Sequence, residues 1–140
     1  MSKPLQILAE KYVQMHQESA SSPVIDANGD KYWRNANGQF HRTDGPAIEW
    51  VDGSKEWWVN DELHRLDGPA RVWANGSKEW WVNGERHRTD GPAYKDANGR
   101  KAWYINDKQY TEKRFNRYLQ ALKARQDVLN KDNPGIEMDI

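Results

Sequence analysis

The sequence lacks cysteine altogether and has no excess of charge of either sign. Without cysteine, its 140 residues can form neither a disulfide scaffold, nor a cysteine zinc site, nor a thiol nucleophile. Its 21 Lys and Arg balance its 21 Asp and Glu, which argues against nucleic acid as the partner. No segment approaches the ~20 apolar residues of a membrane span, and the first ten residues lack the apolar core of a signal peptide. We therefore expect a cytoplasmic protein with no membrane partner.

What the sequence has instead is tryptophan and an internal repeat. Hydrophobic residues make up only 36% of the chain, yet eight are Trp, so large aromatic side chains must supply much of the core. The tetrapeptide Asp-Gly-Pro-Ala begins at positions 44, 67 and 90, a step of 23 residues, and His-Arg recurs with the same step. The length fits one domain, since most domains have roughly 100 to 150 residues.

Each repeat carries two dipeptides that are typical of tight hairpin turns. In the two most regular repeats they are Asp52-Gly53 with Asn60-Asp61, then Asn75-Gly76 with Asn83-Gly84. Asn-Gly and Asp-Gly suit the positive φ angles of a two-residue type I′ turn, and Asn-Asp is a weaker form of that signal. Each repeat is therefore predicted to be a meander of about three short strands, and Asp-Gly-Pro leads into the next repeat.

The predicted fold is mainly β, a repeat-built antiparallel meander flanked by an N-terminal and a C-terminal helix. We expect a single domain, with the first helix in 1–20, about four β repeats in 24–110, the second helix in 111–131 and a tail in 132–140. Apolar residues at helical spacing support both helices. The first repeat is one residue longer than the others, which predicts a bulge near Asn35-Ala36.

Two-residue turns would also determine the strand register, because pairs can be counted outward from each turn. The predicted cross-strand pairs are Trp50–Lys55, Trp57–His64 and Glu56–Arg65, then Trp73–Lys78, Trp80–His87 and Glu79–Arg88. Alternation places Trp50 and Trp57 on one face and Trp58 on the other. Because so thin a sheet cannot bury both tryptophan rows, we expect one row to be partly open, as binding surfaces often are.

The candidate partner-binding residues are the two tryptophan rows and the repeated His and Arg beside them: Trp50, Trp57, Trp58, Trp73, Trp80, Trp81, His64, His87, Arg65 and Arg88. The competing interpretation is that the tryptophans only bury area, with Lys stems across their rings.

The repeated polar residues favour structural roles over chemistry. Equivalent histidines lie at least two strands of ~4.8 Å apart, so His64 and His87 cannot share a zinc ion whose donors lie ~2 Å away. No metal is expected, and each His should pack and hydrogen-bond beside Trp. The Asp of Asp-Gly-Pro is expected to cap local backbone amides. No catalytic or cofactor motif occurs, so we predict neither catalytic residues nor a cofactor, and no enzyme.

The repeat resembles the membrane occupation and recognition nexus (MORN) repeat, a β-hairpin repeat that stacks into an elongated sheet. Asp-Gly-Pro-Ala, Lys-x-Trp-Trp-x-Asn-Gly and His-Arg are similar to a MORN-like variant found in tailed-phage and giant-virus proteins, over about residues 24–120. The resemblance implies a phage-encoded protein. Its partner would then be a host protein in the host cytoplasm, such as a defence factor, which it would bind and block.

Two classes of function remain open. The first is a non-enzymatic protein-interaction module that presents an aromatic sheet face. The alternative is a protein that binds or sequesters a small molecule, with Trp and Arg holding a nucleotide or sugar. A homo-oligomer joined through open sheet edges is a third, structural, interpretation.

Overall fold

The structure, a computed structural model, describes residues 22–132, and this part of the chain forms 13 strands and one helix. The strands are β1 Val24–Ile25, β2 Lys31–Tyr32, β3 Ile48–Glu49, β4 Lys55–Glu56, β5 Trp58–Val59, β6 Glu62–Leu63, β7 Arg71–Val72, β8 Lys78–Glu79, β9 Trp81–Val82, β10 Glu85–Arg86, β11 Tyr94–Lys95, β12 Lys101–Ile105 and β13 Lys108–Tyr110. The helix, α1, spans Glu112–Asp132, so the predicted C-terminal helix is confirmed within one residue at each end. The predicted N-terminal helix in 1–20 and the tail beyond Asp132 lie outside the described residues.

Nine of the strands form one antiparallel sheet in the order β1-β2-β3-β4-β7-β8-β11-β12-β13. This main sheet confirms the predicted meander. Most of its strands are only two residues long, because a turn dipeptide or an Asp-Gly-Pro loop follows within a few residues.

The remaining strands form a second ladder, the hairpin row, made of hairpins β5–β6 and β9–β10. Backbone bonds join the two hairpins, from Arg65 N to Trp81 O at 3.0 Å and from Gly84 N to Leu63 O at 2.9 Å. Each regular repeat thus supplies four strands, two to each ladder, and the expectation of three was wrong.

The chain passes from the main sheet to the hairpin row at a tryptophan. The N–H of Trp57 donates to Ala70 O in the main sheet at 2.7 Å, and its C=O accepts from His64 N in the hairpin at 3.0 Å. Trp80 makes the equivalent bonds to Ala93 and His87. The segment before each second turn, predicted as one strand, is therefore two strands that pair with different neighbours.

The two turns of a repeat belong to different classes. Asn60 and Asp61 have φ of 49° and 66°, as the predicted two-residue type I′ turn requires. At the other turn only Gly53 has positive φ, and Trp50 N donates to Ser54 O, which closes a three-residue turn with a glycine bulge.

The extra residue in each first turn shifts the register by one. Glu49 lies opposite Lys55, and Val72 lies opposite Lys78, so the predicted Trp50–Lys55 and Trp73–Lys78 pairs are wrong. Since a shift of one residue moves side chains to the other face, Trp50 and Trp73 share the face of Glu56 and Glu79 instead of that of Trp57 and Trp80.

Around the type I′ turns the predicted register holds only for the residue pairs close to the turn. His64 N bonds to Trp57 O and His87 N bonds to Trp80 O, so those two predicted pairs are confirmed. One residue further on the strands separate. Glu56 lies opposite Arg71 in the main sheet, while Arg65 N bonds to the next hairpin, so the predicted Glu56–Arg65 pair is wrong.

The corresponding pair of the next repeat is wrong for the same reason. Glu79 lies opposite Arg71 and Tyr94 in the main sheet, whereas Arg88 N bonds to Tyr104 O.

The additional residue of the first repeat lies in a turn. Asn35 N donates to Gln39 O at 2.9 Å, and Gly38 has φ of 78°. A three-residue turn with its bulge at Gly38 thus takes the place of the two-residue turn of the later repeats. The predicted bulge exists, two residues beyond Ala36.

Alanine and branched aliphatic side chains form most of the core of the described residues, and Trp33 and Phe115 are the aromatic residues buried in it, so the expectation that large aromatics supply much of the core was wrong. Ala47, Ala70 and Ala93, the last residues of the three Asp-Gly-Pro-Ala segments, are all fully buried. At the C-terminal end Phe115 is the one buried residue of α1, and it anchors the start of the helix on β12 and β13. The hydroxyl of Thr111 accepts from Arg114 N at 3.2 Å and caps the helix.

Gly76 gives a direct test of the glycine position in the three-residue turn. Gly76 has φ of 91°, and a Cβ added there would meet nothing within 4 Å, so only the backbone conformation opposes a side chain. We expect Gly76→Ala to lower the free energy of unfolding by about 1 kcal/mol, measured by urea denaturation. Gly76→Asn should lose less, because Asn tolerates this conformation. Equal losses from the two variants would contradict this explanation.

Candidate functional site

The Arg of each His-Arg pair is held over the tryptophan at which the chain changes sheets. Arg65 Cζ lies 3.9 Å from the centre of the Trp57 ring. Its Nε donates to Asp67 Oδ1 at 3.0 Å, and its Nη1 donates to Pro69 O at 3.0 Å. The Asp of Asp-Gly-Pro therefore holds a guanidinium, and the expectation that it caps local backbone amides was wrong.

The same arrangement recurs one repeat earlier and one repeat later. The Cζ-to-ring distances are 3.8 Å for Arg42 over Trp33 and 3.9 Å for Arg88 over Trp80. The glycine of each loop permits it. A Cβ on Gly68 would lie 3.0 Å from Arg65 Cζ, so any larger residue would displace the guanidinium. This contact explains why Gly follows Asp in every copy.

The repeated histidines link successive repeats through backbone amides. His64 Nδ1 accepts from Asn83 N, the first residue of the next type I′ turn, at 2.9 Å. His41 does the same for Asn60, at 3.1 Å, and His87 for Asn106, at 3.0 Å. In each histidine, Nδ1 is therefore already used as the acceptor of a backbone amide. Within residues 22–132 no group of three potential ligands is placed to hold a metal ion.

A second series of links runs along the main sheet. Ser54 Oγ accepts from Ala74 N at 2.8 Å, and Ser77 Oγ accepts from Ala97 N at 3.1 Å. Together with the histidine links, these bonds fix each repeat against the next on both sides. Surfaces built from equivalent residues therefore recur with nearly the same geometry.

Two equivalent grooves lie between successive Asp-Gly-Pro loops. The first has a volume of about 450 Å³, with Trp57, Val59 and His64 between the loops of Arg42 and Arg65. The second has a volume of about 580 Å³, with Trp80, Val82 and His87 in the equivalent places.

The two grooves share one wall, the loop of Arg65, Leu66 and Asp67. Leu66 is 79% exposed, and the corresponding positions of the other two loops hold Thr43 and Thr89. We call this surface, with its two grooves and the loops around them, the loop face.

The loop face presents carboxylates to solvent. The side chains of Asp44, Asp67 and Asp90 are 70%, 87% and 81% exposed, whereas their arginine partners are between 18% and 25% exposed. Each Arg–Asp pair is thus an oriented dipole whose negative end points outward. The three pairs stand in a row with one pair per repeat.

The predicted binding residues divide among different surfaces. Six of them line the grooves, namely Trp57, Trp80, His64, His87, Arg65 and Arg88. Trp58 and Trp81 lie elsewhere and donate their indole N–H to buried carboxylates, those of Glu56 at 3.3 Å and Glu79 at 3.1 Å.

The remaining two predicted residues belong to the main sheet. Trp50 packs edge to face against Tyr32, with ring centres 6.0 Å apart. Trp73 is 38% exposed and borders a third cavity, of about 570 Å³, with Asp52 and Tyr94.

Sequence reasoning missed Leu66 and the row of exposed aspartates. A large apolar residue where the other copies have Thr was the signal that could have marked Leu66. The aspartates carried no such signal, because an Asp in an Asp-Gly-Pro turn has a sufficient local explanation.

Comparison of the chain with protein-family models, curated proteins and solved structures gave no match. The one helix of the described region is not long and apolar enough to cross a membrane.

Proposed function

We propose that this protein is a non-enzymatic protein-interaction module that binds its partner through the loop face. The observation that carries the proposal is the pair of equivalent grooves with a highly exposed leucine on their shared wall. Two bonded series of repeat links hold the grooves in place, so binding would cost little conformational entropy. An exposed leucine on the wall between two grooves is suited to burial against another protein.

The partner in this proposal is a host protein, such as a defence factor, which a phage-encoded binder would occupy and block in the host cytoplasm. The support is the resemblance of the repeat to the MORN-like variant of tailed-phage proteins. The groove tryptophans contribute mainly by supporting the arginines above them, while Leu66 and the loop aspartates make the accessible contacts.

A small-molecule site is the second candidate, and the groove volumes favour it. Volumes of about 450 and 580 Å³ lie within the range of ligand pockets. The groove guanidiniums are already stacked on Trp and bonded to Asp and Pro, which leaves them poorly placed for a nucleotide phosphate. A sugar or nucleotide would have to use the aspartates and the groove floor instead.

The direct test is capture of partners from bacterial lysate on the tagged protein, with proteins and small molecules quantified by mass spectrometry. We expect Leu66→Ser to reduce the captured protein by about tenfold, because removing a buried leucine contact costs on the order of 1.5 kcal/mol. Val51→Ser is the matched control, since Val51 is 71% exposed on a turn of the main sheet. Both variants should keep the unfolding midpoint of the parent.

Equal capture by Leu66→Ser and the parent protein would contradict the proposal that the loop face is the binding surface. A sugar or nucleotide retained at one equivalent without protein would establish the second candidate.

A further inference from the structure

The spacing of the grooves restricts what kind of chain could lie across them. In the hairpin row each repeat adds two strands, which at ~4.8 Å per strand gives a repeat distance of about 9.6 Å. Backbone bonds from Arg65 to Trp81 and from Arg88 to Tyr104 continue this stacking through the row. Grooves, Arg–Asp pairs and loops should therefore recur every ~9.6 Å along the loop face.

This distance matches a polyproline II chain and fits other polypeptide conformations less well. A polyproline II helix has three residues per turn and rises ~3.1 Å per residue, so every third side chain returns to the same side after ~9.3 Å. A β-strand covers a similar distance in three residues, but its side chains alternate, so residues i and i+3 point to opposite sides. An α-helix returns to one side after seven residues and ~10.5 Å, which matches the ~9.6 Å repeat distance less closely.

The chemistry of the loop face indicates which side chains such a chain would carry. Leu66, which is 79% exposed, and the half-buried Val82 supply the accessible apolar surface beside the grooves, whereas Val59 lines the first groove from a buried position. Proline rings suit accessible apolar surface of this kind and lose little entropy on binding.

The loop edges require a different kind of side chain. Oδ1 of Asp44, Asp67 and Asp90 accepts from an arginine Nε, while the carboxylates remain 70–87% exposed. Their outward negative ends favour a cation over each loop.

We propose that the loop face binds a proline-rich segment in the polyproline II conformation, with a basic residue at every third position. This inference rests on the proposed function and specifies the partner's chemistry. Prolines enter the two grooves on either side of Leu66. The basic side chains pair with Asp44, Asp67 and Asp90.

The test is the affinity of the full-length protein for two synthetic peptides of the same composition, measured by fluorescence anisotropy. One peptide contains three Pro-Pro-Lys units, and the other has six prolines followed by three lysines. The periodic peptide should bind about tenfold more tightly, because only it places a cation at each loop. Its affinity should fall when the salt concentration is raised from about 50 to about 300 mM, because salt screens the attraction between lysine and aspartate.

Matched variants locate the binding. Asp67→Asn keeps an acceptor for Arg65 and removes one carboxylate charge, so affinity for the periodic peptide should fall several-fold. Asp52→Asn is the control, because the equivalent Asn75 forms the same hydrogen bond in its own turn. That variant should leave the affinity unchanged.

Each result has a definite meaning. Equal affinities for the two peptides, or equal losses from the two variants, would overturn the proposed ligand. No binding of either peptide, with lysate capture still dependent on Leu66, would also overturn the polyproline ligand and would leave the interaction module in place. Capture that is independent of Leu66 would remove the proposed function itself.

Discussion

Replacing Arg71 with methionine should lower the free energy of unfolding by about 3 kcal/mol. Arg71 Nε lies 2.7 Å from Glu56 Oε1, and its Nη1 lies 3.3 Å from Glu79 Oε2. The two glutamate side chains are only 7% and 8% exposed, and Arg71 compensates the charge of both, with Arg86 Nη2 as a more distant second cation 3.7 Å from Glu79 Oε1. Removing one member of a buried ion pair is costly because the remaining charge is desolvated without a partner.

The measurement is chemical denaturation of Arg71→Met beside the control Arg100→Met. Arg100 is exposed, and its backbone amide and carbonyl hydrogen-bond to Asp96, so replacing its side chain should change stability by less than about 0.5 kcal/mol. Adding Glu79→Gln to Arg71→Met should recover part of the loss, because it removes one buried charge. If Arg71→Met were as stable as Arg100→Met, the buried network would not contribute to the fold.

Replacing His64 with alanine should cost about 2 kcal/mol of stability. His64 Nδ1 accepts from Asn83 N at 2.9 Å, and it holds the next type I′ turn together with the backbone bond from Gly84 N to Leu63 O. Asn83 has φ of 50°, so this turn is held in a conformation that few residues adopt unaided. Alanine leaves the amide without its acceptor and opens space beside Trp57.

Hydrogen exchange distinguishes this role from simple packing. Protection of the Asn83 amide should decrease in His64→Ala by more than that of amides in the main sheet. Thr89→Ala, in an exposed loop, is the control and should leave both stability and exchange unchanged. Unchanged protection of Asn83 would show that the histidine link is not what orders the turn.

Both predictions depend on contacts between repeats, and these were the contacts that the sequence predicted least well. The pairing of His64 with Trp57 could be predicted, because it lies close to a turn and the register counts outward from there. The pairing of Glu56 with Arg71 could not. It depends on the chain changing sheets at Trp57, and a run of strand-forming residues carries no mark at the point where its hydrogen-bonding partners change.

The turns show the same limit of local sequence information, since the two turn classes differ in length by one residue. Asp52-Gly53 and Asn83-Gly84 are nearly the same dipeptide, yet one lies in a three-residue turn and the other forms a two-residue turn. Both turn classes accept a glycine at positive φ, so local propensity does not choose between them. The register decides, and it is set by which strands of neighbouring repeats pair. That single-residue difference moved Trp50 and Trp73 to the other face.

The sequence by itself determined the 23-residue period, the turn positions, the antiparallel β architecture and the C-terminal helix. These features follow from local rules, because turn residues, strand formers and helical spacing act over a few neighbouring residues. The tertiary structure alone decided the division into two ladders, the arginines held over tryptophan and the position of the grooves. The two ladders and the grooves depend on contacts between residues about 20 positions apart, whose geometry is set only when one repeat stacks on the next. Each arginine reaches a tryptophan of its own repeat only once the hairpin between them has formed.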